Sequence, residues 1–293
     1  MSSSPSPSPV DNPPIALITA GSAGLGAAVA ELFARNGMRV VVNYANNAQR
    51  AEALVARLKT ITTLPPPPPR DGRTDYHAIR ADLSSRADVE RLVEEAVRVM
   101  CPGGQEEEEI EGEKKKKKLD VVFSNGGWTH MRNLLDLEDN MLDEDWDRCF
   151  TMNVKSHLWL MHAAKPYLEA GWDEESRGGG GESGCFITTA SLAGVKISGS
   201  SLAYAVTKAA QLHLARGLAV IAAPRIRVNS VSPGLLLTDW GLKFPPERIQ
   251  AMTEASKLKR LATVEDVAEQ VLTYVKSKSI TGQNMVIEGG WGL

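Results

Sequence analysis

Tyr204 and Lys208 stand four residues apart in the stretch "SSLAYAVTKAA" (residues 200–210). On a helix, residues i and i+4 lie on one face, so the phenol and the ammonium would be neighbours. A cation within about 4–6 Å favours the phenolate and lowers a tyrosine pKa, which is about 10 when unperturbed. Such a pair can transfer protons near neutral pH. A half-buried tyrosine beside a lysine that extends to water would have no chemistry, and the spacing alone leaves both interpretations open.

A glycine-rich segment, "TAGSAGLG" (residues 19–26), ends one apolar run and precedes a helical pattern. In such a turn, backbone N–H groups and a helix N-terminus face an anion. Gly24 and Gly26 would let the backbone approach a pyrophosphate, and Ala27 and Ala28 would keep the helix close to the sheet. Many turns and helix caps look similar, but the position between a strand and a helix favours a nucleotide site.

The end of the second predicted strand, "NYANN" (residues 43–47), indicates which nucleotide would bind. An acidic residue there would accept from the ribose 2′-hydroxyl of NAD and repel the 2′-phosphate of NADP. The first acid after this strand is Glu52, and the nearby donors are Ser22, Asn43, Asn46, Asn47 and Arg50. The pattern therefore favours NADP(H) over NAD(H), although no arginine stands in the glycine-rich turn. The alternative is an ordinary polar loop.

The composition is typical of a globular protein, with 43% hydrophobic and 24% charged residues in a chain of 293. A net charge of −3 provides no basic field for nucleic acid or an anionic membrane. Cys101, Cys149 and Cys185 are too scattered for a disulfide framework or a metal site, which favours a reducing, cytoplasmic setting. No apolar run approaches the roughly 20 residues of a membrane span. Residues 1–13 lack a signal-peptide pattern and are expected to form a disordered tail.

From Ile15 onward, short apolar runs alternate with helical patterns. The predicted strands are residues 15–20, 38–44, 76–83, 119–127, 184–191, 226–234 and 284–290. The predicted helices are residues 25–37, 47–60, 85–100, 144–171, one beginning near residue 200, and 263–277. Strands that alternate with helices predict one α/β domain, residues 14–293, with a doubly wound parallel sheet covered on both faces.

Three low-complexity segments, residues 64–75, 101–118 and 173–184, interrupt this pattern. Their compositions cannot bury a core, so each is expected to be a solvated loop. Each follows a helix and precedes a strand, which places it at the amino end of that strand. Ligands of α/β sheets bind at the carboxyl ends, so the three segments should lie away from any site. The acidic and polylysine runs within 101–118 are either plain surface or a partner-binding tag.

From Ile15 to Gly290 the chain resembles the short-chain dehydrogenase/reductase family, in its NADP-preferring ketoreductase type. The family motif T-G-x-x-x-G-x-G is matched by Thr19, Gly24 and Gly26, with Ala20 in place of the first glycine. That change adds one methyl group and demands a backbone angle that alanine can adopt. The resemblance implies a single Rossmann-fold domain with a seven-stranded parallel sheet.

The resemblance also implies a catalytic tetrad. Asn153 in "FTMNVKS" and Ser191 in "ITTASLAG" match the family's asparagine and serine, and Tyr204 with Lys208 completes Y-x-x-x-K. In such enzymes a hydride passes between a nicotinamide cofactor and a carbonyl carbon. Tyr204 would then protonate the carbonyl oxygen, Ser191 would hydrogen-bond it, and Lys208 would lower the tyrosine pKa. Asn153 would hold a water that relays protons through Lys208 to solvent.

Further family motifs imply the cofactor contacts. Asp82 in "RADL" matches an acid near the adenine ring, "SNGG" (124–127) resembles N-N-A-G, and "SPGLLLTD" matches the segment near the nicotinamide amide. Besides Tyr204 and Lys208, the expected cofactor-binding residues are Thr19, Gly21, Ser22, Gly24, Leu25, Gly26, Asn43, Tyr44, Asn46, Asp82, Leu83, Asn125, Gly126, Pro233, Gly234, Leu236 and Thr238.

Residues 238–261 have the length of a loop–helix lid over a substrate. Its large apolar residues either line a substrate pocket or pack within the lid itself: Trp240, Leu242, Phe244 and Met252. The expected reaction is NADPH-dependent reduction of a ketone or other carbonyl to an alcohol, or its reverse. Two other classes stay open. One is a catalytically silent nucleotide-binding regulator that uses the charged segment as a partner site, and the other is a lyase or isomerase on the same fold.

The family often assembles through the long helices that carry Asn153 and Tyr204. The resemblance therefore implies a homodimer or homotetramer. No nucleic-acid or membrane partner is expected, and the substrate should be a small molecule.

Overall fold

The structure is a computed structural model that describes residues 12–66, 74–102, 109–110, 113–114, 117–172 and 183–293. Its main sheet contains seven strands: β1 (Ile15–Ile18), β2 (Arg39–Tyr44), β3 (Tyr76–Arg80), β4 (Val121–Ser124), β5 (Gly184–Thr189), β6 (Ile226–Pro233) and β7 (Asn284–Ile287). All neighbouring pairs are parallel, and the order across the sheet is β3-β2-β1-β4-β5-β6-β7. This doubly wound topology confirms the predicted Rossmann fold.

The described residues also form eight α-helices. They are α1 (Gly24–Arg35), α2 (Ala48–Ile61), α3 (Arg86–Met100), α4 (Asp143–Phe150), α5 (Ser156–Leu168), α6 (Leu202–Ala222), α7 (Pro246–Ala255) and α8 (Val264–Lys276). None of these described helices combines the length and apolarity needed to cross a membrane.

Two apolar layers hold the helices to the sheet. Successive strand residues point to opposite faces, so Leu17 joins the layer under α3, α5 and α6, whereas Ile18 joins the layer under α1, α2 and α8. Both residues are fully buried. Continuous apolar runs such as "VVV" in β2 are therefore needed, because a parallel sheet is covered on both faces.

Strands β1, β4 and β5 end two or three residues earlier than predicted. The predicted strands continue to Ala20, Gly127 and Ser191, but the ladders stop at Ile18, Ser124 and Thr189. Beyond these points the chain turns away from the sheet, which opens the space at its carboxyl edge. The residues after each strand thus become available for a site.

The predicted long helix over residues 144–171 is observed as one run with an irregular centre. Between α4 and α5 lies a π-helical turn, Thr151–Lys155, with Asn153 in its middle. A π turn inserts one extra residue into the helix and changes the direction in which side chains point. Amphipathic periodicity could not predict this, because the flanking turns keep their ordinary spacing.

The three low-complexity segments lie largely outside the described residues, as does the tail at residues 1–11. The described flanks show that the segments lead into β3, β4 and β5, whose first residues are Tyr76, Val121 and Gly184. Within residues 101–118, the pairs Glu109–Ile110 and Glu113–Lys114 form a short antiparallel ladder, which corrects the expectation of a plain loop there.

Candidate active site

A cavity of about 370 Å³ opens at the carboxyl ends of β1, β4, β5 and β6. The segments that follow these strands form its walls, together with the first turns of α1 and α6. This is the edge at which open α/β sheets bind ligands. The predicted site residues that line it are Gly24, Leu25, Asn125, Ser191, Tyr204, Lys208, Pro233, Gly234, Leu236 and Thr238.

The other predicted site residues are not among those that line the cavity. They are Thr19, Gly21, Ser22, Gly26, Asn43, Tyr44, Asn46, Asp82, Leu83, Gly126 and Asn153. Several of them hold the lining residues in place, as their hydrogen bonds show.

The turn after β1 is strained at Ala20. This residue has a φ of 47°, in the left-handed region that favours glycine. Alanine adopts the angle, as expected, at a cost of about 1–2 kcal/mol. The Ala20 N–H donates to Asn43 Oδ1 (3.1 Å), and its carbonyl accepts from Asn125 Nδ2 (3.3 Å). Gly26 packs on the same peptide, because a Cβ there would lie 2.5 Å from the Ala20 oxygen.

The N-terminus of α1 is free to bind an anion. Its N-cap is Ala23, which makes no side-chain capping bond, and its first turn contains no acidic residue. The first N–H groups of a helix have no partner within the helix and carry the positive end of its dipole. Ala23, Gly24 and Leu25 line the cavity, so these groups face it. Gly24 has a φ of 52°, and a Cβ on it would lie 3.0 Å from Thr238 Cγ2.

Thr19 and Asn125 join the ends of three strands. The Thr19 hydroxyl accepts from the N–H groups of Asn125 (2.9 Å) and Gly126 (3.4 Å). The Asn125 side chain accepts from Thr189 Oγ1 (2.9 Å) while it donates to Ala20. Thr19 is therefore a structural support of the cavity, since its hydroxyl is already bonded to the backbone.

Asn43 was expected to donate to a phosphate, and its position corrects this. The side chain is buried, and its Nδ2 donates to the carbonyls of Tyr44 (3.2 Å) and Ala81 (3.1 Å). Its backbone carbonyl accepts from Gly21 N–H (2.8 Å). Asn43 thus fixes the glycine-rich turn to β2, because no donor is left for a ligand. Asn46 lies in the exposed part of this loop.

Asp82 and Leu83 follow β3 without reaching the cavity. Asp82 is exposed, and its Oδ1 accepts from the N–H (2.9 Å) and the hydroxyl (2.7 Å) of Ser84. Leu83 is buried against Gly126, where a Cβ would collide with its Cδ1. The glycine at position 126 is thus required by Leu83, which supports the loop after β4 from below.

Ser191, Tyr204 and Lys208 form one wall of the cavity. Ser201 caps α6 by accepting from Tyr204 N–H (3.1 Å), which fixes the start of the helix. Tyr204 and Lys208 then lie one turn apart, with Nζ 5.6 Å from the tyrosine ring centroid. The Ser191 side chain interacts with the Tyr204 phenol and lowers its pKa. The structure therefore brings these three predicted residues together.

Burial dominates the ionisation of this pair in the protein alone. Burial raises the pKa of Tyr204 to about 12, although the neighbouring Ser191 hydroxyl opposes this shift. Burial also lowers the pKa of Lys208 to about 7. Lys208 is not among the groups that shift the pKa of Tyr204, because a lysine with a pKa of about 7 is only partly charged at neutral pH. The expected lowering of the tyrosine pKa during the reaction stays a prediction.

Asn153 is fully buried behind the wall. Its Oδ1 accepts from Trp128 N–H (2.8 Å), and its Nδ2 donates to the Trp128 carbonyl (2.9 Å) and to Thr207 Oγ1 (3.0 Å). These bonds tie the loop after β4 to α6. Both Nδ2 hydrogens of Asn153 are engaged, whereas Oδ1 keeps a second lone pair, so the water relay through Asn153 stays a prediction.

Gln211 and His157 were missed by the sequence analysis. Lys208 Nζ donates to Gln211 Oε1 (2.8 Å) and to the Thr189 carbonyl (2.8 Å). Gln211 Nε2 lies 3.0 Å from His157 Nε2, and His157 Nδ1 lies 2.6 Å from Ser124 Oγ. The spacing of Gln211, three residues after Lys208, was a usable signal, whereas its contact with α5 was not visible in the sequence.

The aromatic residues of the segment after β6 meet Tyr204. The rings of Tyr204 and Trp240 have centroids 5.8 Å apart, as do those of Trp240 and Phe244. Trp240 lines the cavity, as does Trp128 on the opposite loop, whereas Phe244 is buried behind Trp240. Leu242 is mainly exposed, which corrects the expectation that it could line the pocket.

The residues present fit a dinucleotide cofactor. The uncapped α1 N-terminus at Gly24 suits a pyrophosphate, and the Lys208 ammonium stands deeper along the same wall. Gly127 keeps this passage open, because a Cβ on it would lie 3.3 Å from Asn153 Oδ1 and 3.4 Å from Lys208 Nζ. In the described part of the chain, no group of His, Cys, Asp or Glu residues is arranged to hold a metal ion.

Comparisons with known proteins agree with this geometry. The family model "short chain dehydrogenase" matches residues 14–248. The "Granaticin polyketide synthase putative ketoacyl reductase 2" of Streptomyces violaceoruber is 33% identical over 279 residues, which cover 94% of this chain and 95% of that protein.

Two solved structures are similar over almost the whole chain. A short-chain dehydrogenase from Burkholderia cenocepacia in complex with NADP has a TM-score of 0.76 and 26% identity, with 98% of this chain and 100% of that one covered. A 7α-hydroxysteroid dehydrogenase complexed with NADH and 7-oxo glycochenodeoxycholic acid has a TM-score of 0.75 and 26% identity, with 94% and 93% covered. The chain therefore belongs to the short-chain dehydrogenase/reductase family, whose oxidoreductases interconvert alcohol and carbonyl groups.

Proposed function

We propose that this protein reduces a ketone or other carbonyl to an alcohol with NADPH, using Tyr204, Ser191 and Lys208. One observation carries the proposal: Ser191, Tyr204 and Lys208 line the same cavity that the free α1 N-terminus also faces. A hydrogen-bond donor pair and an anion-binding helix end on one cavity suit a reduced dinucleotide and a carbonyl substrate side by side.

The bound nicotinamide would supply the hydride, and the protein's own residues would do the rest. Tyr204 donates its phenolic proton to the carbonyl oxygen as negative charge develops there. Ser191 donates a second hydrogen bond to the same oxygen. Lys208, 5.6 Å from the tyrosine ring, stabilises the phenolate that remains.

A preference for NADPH is supported by the charges near the cavity mouth. Arg50 lines the cavity close to the end of β2, where the exposed loop residues Asn46 and Asn47 carry no negative charge. An arginine in that place suits the 2′-phosphate of NADP. NADH binding by some structural neighbours is compatible with the same fold, so the preference rests on Arg50.

The wall beside Tyr204 favours an apolar substrate. Trp128 and Trp240 line the cavity near the tyrosine, and Phe244 supports Trp240 from behind. Such surfaces bind ring-bearing or other apolar carbon frames, and the hydroxyls of Ser191 and Tyr204 orient the carbonyl between them.

Two further properties belong to the proposal. Apolar side chains are left exposed on the long helices, including Phe150 on α4, Leu158 on α5 and Val206 on α6, which supports a homodimer or homotetramer. Light scattering that finds only a monomer would contradict this. A cytoplasmic location stays a prediction from cysteine usage.

The first test is a titration of the purified protein with NADPH and then NADH. Trp128 and Trp240 line the cavity, so energy transfer from tryptophan to nicotinamide reports binding. Tighter NADPH binding followed by NADPH consumption with a panel of apolar ketones is the expected result. Binding without consumption of any ketone would favour the silent regulator. Conversion of a substrate without net cofactor consumption would favour a lyase or isomerase.

A further inference from the structure

A chain of four polar side chains runs from the cavity wall into the core. It comprises Lys208, Gln211, His157 and Ser124, with contacts of 2.8, 3.0 and 2.6 Å in that order. All four residues are at most 3% exposed. They come from β4, α5 and α6, so the chain crosses the helix layer behind the site. Buried polar groups are costly unless satisfied, and here each link satisfies the next.

Gln211 is the member that can act on Lys208. Its Oε1 accepts from Nζ, and its Nε2 donates to the Thr189 carbonyl (3.1 Å) and to His157 Nε2. The Gln211 amide therefore bonds to all three of these polar neighbours, and only one orientation of the amide allows it. The opposite orientation would place Nε2 against the ammonium, donor against donor.

His157 fixes that orientation from the far side. Its Nε2 can accept from Gln211 only while the ring is neutral, with the proton on Nδ1 towards Ser124. Burial and the nearby Lys208 charge lower the pKa of His157 to about 3, so the ring stays neutral throughout the physiological range. With its proton on Nδ1, the neutral imidazole offers Nε2 as an acceptor to the Gln211 amide.

Lys208 depends on this support, because no carboxylate among the described residues forms an ion pair with it. Within the part of the chain that the structure describes, no carboxylate contributes to its pKa. The titratable groups that face it are Tyr204 on its own helix, Cys149 on α4 and His157 on α5. An ammonium carries three N–H groups. Two are held by Thr189 and Gln211, and because Lys208 lines the cavity, the third is available to a bound group.

We propose that Gln211 is a positioning residue, which holds the Lys208 ammonium in the cavity wall and stabilises its charged form, while His157 and Ser124 fix the orientation of Gln211. The role in turnover rests on the proposed function, but the effect on the charge of Lys208 does not. A Lys208 that lost this acceptor would be neutral over more of the pH range and would stabilise the Tyr204 phenolate less.

The test measures the titration of Lys208 directly. Cofactor-free protein labelled with ¹⁵N-lysine is titrated by NMR, with Lys208→Arg used to assign the Nζ signal. Gln211→Met keeps the side-chain length but removes the acceptor, and we expect the pKa of Lys208 to fall by about one unit. Gln211→Glu places a carboxylate against Nζ, and the pKa should rise by about one unit or more. The neighbouring change Leu212→Met, which alters packing alone, should leave it unchanged.

Opposite shifts in the two Gln211 variants support the proposal. An unchanged midpoint in Gln211→Met, shifts in the same direction, or an equal shift in Leu212→Met would overturn it. Should Gln211→Met fail to fold, Gln211→Asn takes its place, because its amide is one methylene too short to reach Nζ and must shift the midpoint in the same direction.

For carbonyl reduction, kcat/KM should decline at high pH as Lys208 loses its proton. This decline should begin at lower pH in Gln211→Met and at higher pH in Gln211→Glu than in the wild type, as the NMR midpoints do. A wild-type protein that reduces no carbonyl would contradict the proposed function, while the NMR titration would still decide the role of Gln211. Normal wild-type turnover with an alkaline limb that is identical in all variants would remove Gln211 from the site.

Discussion

Arg50 and Asp239 form an ion pair of 2.7 Å that joins the start of α2 to the segment after β6. Both residues line the cavity, so the pair spans its mouth. Both side chains are substantially exposed, at 46% and 75%, which makes the pair weak and easily replaced by a ligand anion. A 2′-phosphate would compete with Asp239 for the arginine.

Removal of Arg50 should therefore reduce the preference for NADPH. A charge-assisted contact to phosphate accounts for roughly a tenfold change in affinity, so Arg50→Ala should raise the Kd of NADPH by ~10-fold and change that of NADH little. Asp239→Asn removes the competing carboxylate and should tighten NADPH binding. Fluorescence titrations with both cofactors check this, and an equal loss for NADPH and NADH in Arg50→Ala would contradict the role of Arg50.

Tyr204→Phe should abolish turnover and leave cofactor binding nearly intact. The substitution removes one hydroxyl, and loss of a general acid costs about 10²–10⁴-fold in rate. NADPH affinity, measured by energy transfer, is expected to stay close to that of the wild type. Tyr167→Phe, on the half-buried ring of α5, serves as the matched control and should turn over normally. Turnover by Tyr204→Phe within a few-fold of wild type would show that another group is the acid.

Ala20→Gly should stabilise the protein. The left-handed φ of 47° costs alanine about 1–2 kcal/mol, which glycine avoids. Glycine also gives the unfolded chain more conformational freedom, which lowers the gain by roughly 0.4–1 kcal/mol. The net gain is expected to be about 0.5–1 kcal/mol in the free energy of unfolding by denaturant titration. Ala28→Gly, within helix α1, should instead destabilise by about 1 kcal/mol. A loss of stability in both variants would contradict the strain at Ala20.

The free energy of unfolding should decrease as the pH is lowered, because His157 is buried in its neutral form. Its pKa is about 3 in the folded protein and 6.5 ordinarily, so the unfolded chain binds more protons between these values. Stability from this group is complete above pH 6.5 and is lost on acidification through that window, by about 1.4 kcal/mol per pH unit.

His157→Gln should flatten this slope, since glutamine does not titrate. The matched variant His162→Gln changes an exposed histidine on the same helix and should keep the wild-type slope. Denaturant titrations between pH 4 and pH 7 would give the comparison. The same slope in His157→Gln and wild type would mean that His157 is not buried in its neutral form.

Much of this molecule could be predicted from local pattern alone. Short apolar runs that alternate with helical periodicity dictate a parallel sheet, because each strand must bury both faces. The glycine turn and the Tyr204–Lys208 spacing predicted the cavity wall, since one turn of helix fixes their separation wherever the helix lies. The matched family motifs added Ser191, and the structure places it against Tyr204.

Contacts across the fold were decided by the tertiary structure only. The sequence predicts a surface donor at Asn43, but the carbonyl of Ala81, directly after β3, accepts a hydrogen bond from its amide. Arg50 and Asp239 are 189 residues apart, and Gln211 and His157 are 54 apart, so no periodicity relates them. Sequence pattern reports which side of an element is apolar and which residues are one turn apart. Which polar groups meet, and how burial shifts their charges, depends on how helices cross the sheet.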